Sequence, residues 1–171
     1  GNIKLENIDF ISNSTDGSNG DGGGLYCQGA TSIVELLNLK FISNDVPGSN
    51  ASGGAMSIWQ STVSLENVLI SGNSATGSNG SAGGISARDA NLTLVNVTSS
   101  GNTALYGKGI VLRNSTCQLI NTILWGNDSP EISFNNPSND DHDALYVYYS
   151  TVQGGESGID TDEDSEFYWG E

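Results

Sequence analysis

Five stretches decide the fold of this chain: LENIDFISN (5–13), LLNLKFISN (36–44), LENVLISGN (65–73), LVNVTSSGN (94–102) and LINTILWGN (119–127). The third residue is Asn in every copy, at Asn7, Asn38, Asn67, Asn96 and Asn121. So is the last, at Asn13, Asn44, Asn73, Asn102 and Asn127. Both columns step by 31, 29, 29 and 25 residues, and the spacing between them stays at 6. Self-similarity at such a period is the signature of stacked repeats.

Around each copy, apolar and polar residues alternate with period two, which reads as strands. Ile3 and Leu5, Val34 and Leu36, Val63 and Leu65, Leu92 and Leu94, and Cys117 and Leu119 precede the first Asn at matching offsets. Ile8 and Phe10, Leu39 and Phe41, Val68 and Ile70, Val97 and Ser99, and Thr122 and Leu124 follow it. A Gly-rich turn lies between successive copies: GDGGGLYC (20–27), ASGGAMSI (51–58), SAGGISAR (81–88) and YGKGIVLR (106–113). One repeat has three short strands and no helix, so it cannot bury its apolar face alone. Stacking coil on coil buries that face as one column.

The fold expected is all-β: a single-stranded parallel β-helix of about five to six coils over residues 1–155, each about 4.8 Å above the last. The two Asn columns are expected to stack as side-chain amide ladders, because an amide both donates and accepts. The extra length of the early repeats lies in 14–24, 45–54 and 74–84, each containing Gly-Ser-Asn, and these loops should line up along one edge.

Composition sets the functional limits. The chain has 171 residues, 20 Asp+Glu against 5 Lys+Arg, and a net charge of −15. No basic patch can hold a phosphate backbone, so nucleic-acid binding is excluded as an expectation. No apolar run approaches the ~20 residues of a membrane-spanning helix. The charge is uneven: residues 1–127 hold 8 acids and 5 bases, while residues 128–171 hold 12 acids and no Lys or Arg. Residues 156–171 therefore read as an acidic C-terminal tail. Its carboxylates Asp160, Asp162 and Asp164, with Asp140, Asp141 and Asp143, are candidates for Ca²⁺, a hard cation that takes oxygen ligands. No cofactor is required by the pattern. Cys27 and Cys117 fall on different coils and faces, which argues against a disulfide.

Eight residues before the ladder Asn stand Trp59, Arg88 and Arg113 in three successive coils. Alternation turns all three outward, with Asp89 following Arg88 and Asn114 following Arg113. An aromatic plane, two guanidinium groups and amides in a column can grip a sugar chain. Catalytic signatures are otherwise missing: His142 is the single His, and no Ser/His/Asp arrangement, zinc spacing or phosphate loop is present. No catalytic residue is assigned.

Gly53-Gly54-Ala55-Met56, with Phe-x-x-Asn at Phe10–Asn13 and Phe41–Asn44, resembles the repeats of bacterial polymorphic outer-membrane proteins. The broader likeness is to right-handed parallel β-helix proteins, similar in architecture to pectate lyases. Asn121–Asn127 and Tyr149–Gly155 resemble the closing coils of large secreted bacterial β-helix proteins. The resemblance implies a right-handed solenoid that is secreted or displayed on a cell surface, serving as an adhesin, stalk or fibre subunit with glycan contact. Its alternative implication is a polysaccharide lyase or glycoside hydrolase fragment. Ile3 and Leu5 already belong to a strand before an Asn, with no visible cap, which suggests a segment of a longer solenoid or self-association end to end.

Overall fold

The computed structural model describes residues 1–107, 109–135, 142–162 and 165–170, leaving aside the side chains of 30–32. It is a parallel β-solenoid of about five turns, and 54% of it is strand. Every strand pairing is parallel and joins one repeat to the next.

Each coil contributes strands to three faces. The first face stacks the start of Leu25–Leu37, the start of Met56–Glu66, then Ile85–Arg88, Ile110–Arg113, Ile132–Phe134 and Ile159–Asp160. The second stacks Asn2–Glu6, the ends of those two long strands, Asn91–Val95, Thr116–Ile120, Ala144–Tyr148 and Glu166–Trp169. The third is a separate six-stranded sheet of Asp9–Ile11, Lys40–Ile42, Leu69–Ser71, Thr98–Ser100, Ile123–Trp125 and Thr151–Val152. The register pairs equivalent residues: Val34 with Val63, Val63 with Leu92, Leu92 with Cys117 and Cys117 with Leu145.

The expected inward positions form one continuous core. Leu36, Leu65, Leu94, Leu119 and Val147 are fully buried in one column, and Met56, Ile85, Ile110 and Ile132 in another. At the N-terminal coil other inward columns are open: Ile3, paired with Val34, is 51% exposed, and Phe10 is half-buried, stacked on Phe41 at 4.7 Å. Cys27 and Cys117 are free and buried. Burial pushes both thiols up, Cys117 to about 12 with the Asp143 charge adding to it.

The two Asn columns differ in kind. Asn44, Asn73, Asn102 and Asn127 are fully buried and form an inner ladder. In it, the backbone N–H and the Nδ2 of each Asn both donate to the next Oδ1, as Asn73 does to Asn102 at 2.9 and 2.8 Å. The first column is exposed. Asn38, Asn67 and Asn96 each donate to the preceding Asn at 3.1–3.2 Å, on the outside of a corner. All five of its residues have positive φ, 49–58°, so Asn serves there first as a residue that tolerates the left-handed region.

The Gly-Ser-Asn loops stack along one edge as expected. Asn50 donates from its backbone to Ser18 O at 2.8 Å, and Asn79 to Ser49 O at 2.7 Å. Their side chains build a further ladder, Asn79 to Asn50 at 2.8 Å and Asn50 to Asn19 at 3.1 Å. The coils approach so closely there that a Cβ on Gly54 would lie 2.5 Å from the carbonyl oxygens of Gly83 and Ser74.

Residues 156–171 differ from the tail that composition suggests. Ile159 pairs with Ile132, and Glu166–Trp169 pairs with Ala144–Val147, so the stacking continues past 155. Phe167 and Trp169 pack on the core. Charge density hid this: Glu166-Phe167-Tyr168-Trp169 is rich in aromatics, a strand composition, with Phe167 and Trp169 turned inward and Glu166 and Tyr168 outward.

Candidate functional site

The outer face of the first sheet carries two columns. One is Tyr26, Ser57, Ser86, Val111, Ser133 and Asp160; the other holds Trp59, Arg88 and Arg113. Trp59 pairs with Arg88 and Arg88 with Arg113, so the anticipated strip is present. The stacked loops rise beside the first column and bring Asp21, Ser52 and Ser81 alongside. The result is a groove of about 160 Å³ running along the solenoid axis. The serines form its floor, the loop hydroxyls one wall, and Trp59, Arg88 and Arg113 the other.

Asp89 organises the strip. It sits at a corner with φ 50°, followed one coil later by Asn114 with φ 48°. Its carboxylate accepts from Trp59 Nε1 at 3.3 Å and from Asn114 Nδ2 at 2.7 Å, and pairs with Arg88 Nε at 3.7 Å. Arg88 also lies 5.5 Å from the centroid of the Trp59 ring. Trp59, Arg88, Asp89 and Asn114 are therefore one bonded cluster. Arg113 lines the groove and makes no ion pair among the described residues.

Tyr26 escaped sequence reasoning, and Asp21 is read from sequence only within Asp16–Gly22, a second weak Ca²⁺ candidate, not as a neighbour of the strip. Asp21 lies in a loop whose fold depends on its neighbours, and nothing in its spacing places it in the groove. Burial pushes its carboxyl above the ordinary range, partly offset by a hydrogen bond from the Ser52 backbone. Burial, and then the charge of Asp21, pushes the Tyr26 phenol up. The serine floor was legible in principle, since Ser57 and Ser86 stand two residues before Trp59 and Arg88.

The carboxylates anticipated for calcium do not gather in one described place. Asp140, Asp141 and Asp164 lie outside the described residues. Asp143 is buried and accepts the Ser115 backbone N–H at 2.7 Å; Ser115 Oγ in turn accepts the Ala90 backbone N–H at 3.1 Å. It thus extends a polar stack at a corner. Asp160 is exposed and pairs with Ser133 beyond the groove, and Asp162 lies in the loop after it. Among the described residues no three His, Cys, Asp or Glu side chains are grouped to hold a metal ion. No described helix is long and apolar enough to cross a membrane.

No protein-family model, curated protein or solved structure matches the chain. The solenoid and its ladders thus stand on the residues themselves, and the groove has to be read from its chemistry.

Proposed function

We propose that the protein is a non-enzymatic structural shaft of the extracellular or cell-surface kind, an adhesin-like or stalk element that contacts glycan through the groove of Trp59, Arg88 and Arg113. The observation that carries this reading is the register of those three side chains above a floor of serine hydroxyls. A sugar chain offers apolar C–H faces to an aromatic ring and hydroxyls to guanidinium and serine groups. A groove parallel to the axis suits an extended polymer, because each coil repeats the contact about 4.8 Å further on. Arg113 supplies donors that no carboxylate of the described residues engages. A surface of stacked Gly, Ser and Asn suits the role of a rigid spacer, because its order comes from ladders and not from a large core alone.

The second reading, a polysaccharide lyase or glycoside hydrolase, draws on Asp21, whose half-buried carboxyl lies in the groove near Tyr26. Among the described residues Asp21 is the one carboxylate that lines the groove, whereas glycoside hydrolysis ordinarily uses two across the scissile bond.

Affinity electrophoresis through gels containing neutral or acidic polysaccharides tests the binding reading. Retardation by at least one polymer is expected, with Trp59→Ala and Arg113→Ala each weakening it severalfold. A protein that migrates freely in every gel overturns the proposal. An assay for new reducing or unsaturated ends on the same polymers separates the two readings. Turnover lost in Arg88→Ala moves the protein to the enzyme class.

A further inference from the structure

The groove differs from end to end. Its first rung holds Asp21 and Tyr26, its second Ser52, Ser57 and Trp59, and its third Ser81, Ser86 and Arg88. Arg113 and Val111 make the fourth, and Asn135 lies beyond them. Three rung steps separate Asp21 from Arg113, about 14 Å at the ordinary inter-strand spacing. That span is longer than one sugar ring and suits a short run of them.

Charge changes sign along the same line. Asp21 stands at one end, and no cation pairs with it among the described residues. Arg88 stands in the middle, offset by Asp89 at 3.7 Å and lying 5.5 Å from the centroid of the Trp59 ring. Arg113 stands at the other end and makes no ion pair among the described residues. The groove thus has a negative end, an aromatic and charge-compensated middle, and a positive end. The shaft around it holds 8 acids and 5 bases in residues 1–127, so its wider field does not draw in a dense polyanion.

Each rung selects its own chemistry. A guanidinium presents a planar fork of N–H donors to the two oxygens of a carboxylate. A serine hydroxyl both donates and accepts, which matches a neutral sugar hydroxyl. The Trp59 ring takes the apolar C–H face of a sugar. A second carboxylate placed beside Asp21 meets a like charge, and such repulsion sets specificity as much as attraction does.

We propose that the groove selects a sparsely charged acidic heteropolysaccharide and holds it in one register, with a carboxylate-bearing sugar at Arg113 and uncharged sugars over Trp59 and beside Asp21 and Tyr26. A polyuronate satisfies Arg113 but sets a carboxylate against Asp21. A neutral glycan fills the middle and leaves Arg113 without its partner. This inference rests on the glycan-binding reading above and adds the class and orientation of the chain.

The probes are end-labelled oligosaccharides of deacylated gellan, in which each repeat holds a single glucuronate among neutral sugars. Their carboxyl-reduced twin, with glucose in place of glucuronate, and an oligoglucuronate of the same length complete the set. Fluorescence anisotropy with the intact chain at pH 7 and low salt reads the affinities. The gellan probe should bind at least fivefold more tightly than either of the others, with the unaltered protein. Arg113→Gln keeps an amide donor but removes the charge, and should erase the difference between the gellan probe and its reduced twin. Asp21→Asn should bring the oligoglucuronate severalfold closer to the gellan probe. If the reduced twin binds as tightly as the gellan probe, or the oligoglucuronate binds most tightly to the unaltered protein, this inference is overturned and glycan binding stands. Retardation in a polysaccharide gel with no binding of any of the three probes has the same meaning. Free migration in every gel removes the glycan reading and this inference together.

Discussion

Truncating Asn73 to Ala should damage the protein far more than altering Asn67, although both are ladder residues of the same coil. Asn73 is fully buried. Its Oδ1 accepts the Asn44 N–H and Nδ2, each at 2.9 Å, and its Nδ2 donates to Phe41 O at 2.9 Å and Asn102 Oδ1 at 2.8 Å. Asn73→Ala leaves the Asn73 backbone bond in place but strips two donors of Asn44 of their acceptor, inside the protein. An unsatisfied buried group costs about 1–3 kcal/mol, so two predict a loss of roughly 2–6 kcal/mol. Against a total stability of about 5–15 kcal/mol this is severe. Asn67 is exposed, and water replaces its amide bonds at 3.1 and 3.2 Å. What matters there is φ 57°, which Gly adopts freely. Asn67→Gly should therefore change stability by about 1 kcal/mol at most, whereas Asn67→Ala pays roughly 1–2 kcal/mol for a Cβ in the left-handed region. Urea denaturation followed by far-UV circular dichroism, with the slope held constant between variants, gives the comparison. An Asn73→Ala protein within 1 kcal/mol of the wild type, or one matched by Asn67→Gly, would refute the distinction between a buried and an exposed ladder.

Other perturbations test other parts of the same physics. Gly54→Ala forces a Cβ against two backbone oxygens at 2.5 Å, and neither can rotate away, so the coils must separate locally; a fall of about 3 kcal/mol in the same denaturation assay is expected. Burial raises the Asp21 carboxyl above its ordinary 3.8, so the folded state holds its proton more tightly than the unfolded one, and stability drops as pH rises from there through the raised value. Asp21→Asn should accordingly raise Tm at pH 7 and leave it nearly unchanged at pH 3; an equal shift at both pH values excludes charge burial as the cause. Cys117, pushed to about 12 and fully buried, should resist thiol reagents at pH 8 until the chain unfolds, and Cys27 likewise. Labelling of either residue in the native protein faster than global unfolding contradicts the burial described.

The shaft was legible because a solenoid repeats its physics. Leu36, Leu65, Leu94 and Leu119 meet the same neighbours in every coil, so one offset from an Asn column places each of them indoors. The Trp59–Arg88–Arg113 strip followed by the same offset counting. The meeting of Asp21 and Tyr26 with the strip was not legible, because it depends on how a loop folds over the neighbouring sheet. Glu131 was hidden for a related reason: it ends the inner ladder from four residues beyond Asn127, outside the repeat period.

Sequence alone therefore determined the period, the inward face, the stacking of Gly-Ser-Asn loops and the presence of two amide columns. Those properties are carried by spacing, and spacing survives without coordinates. Tertiary structure decided which column is buried, in which sense each ladder donates, and that the acidic end continues the sheet. Amide polarity and solvent exposure arise only when one coil is set against the next. An Asn reads identically in the sequence whether its oxygen faces the core, the solvent or an open edge.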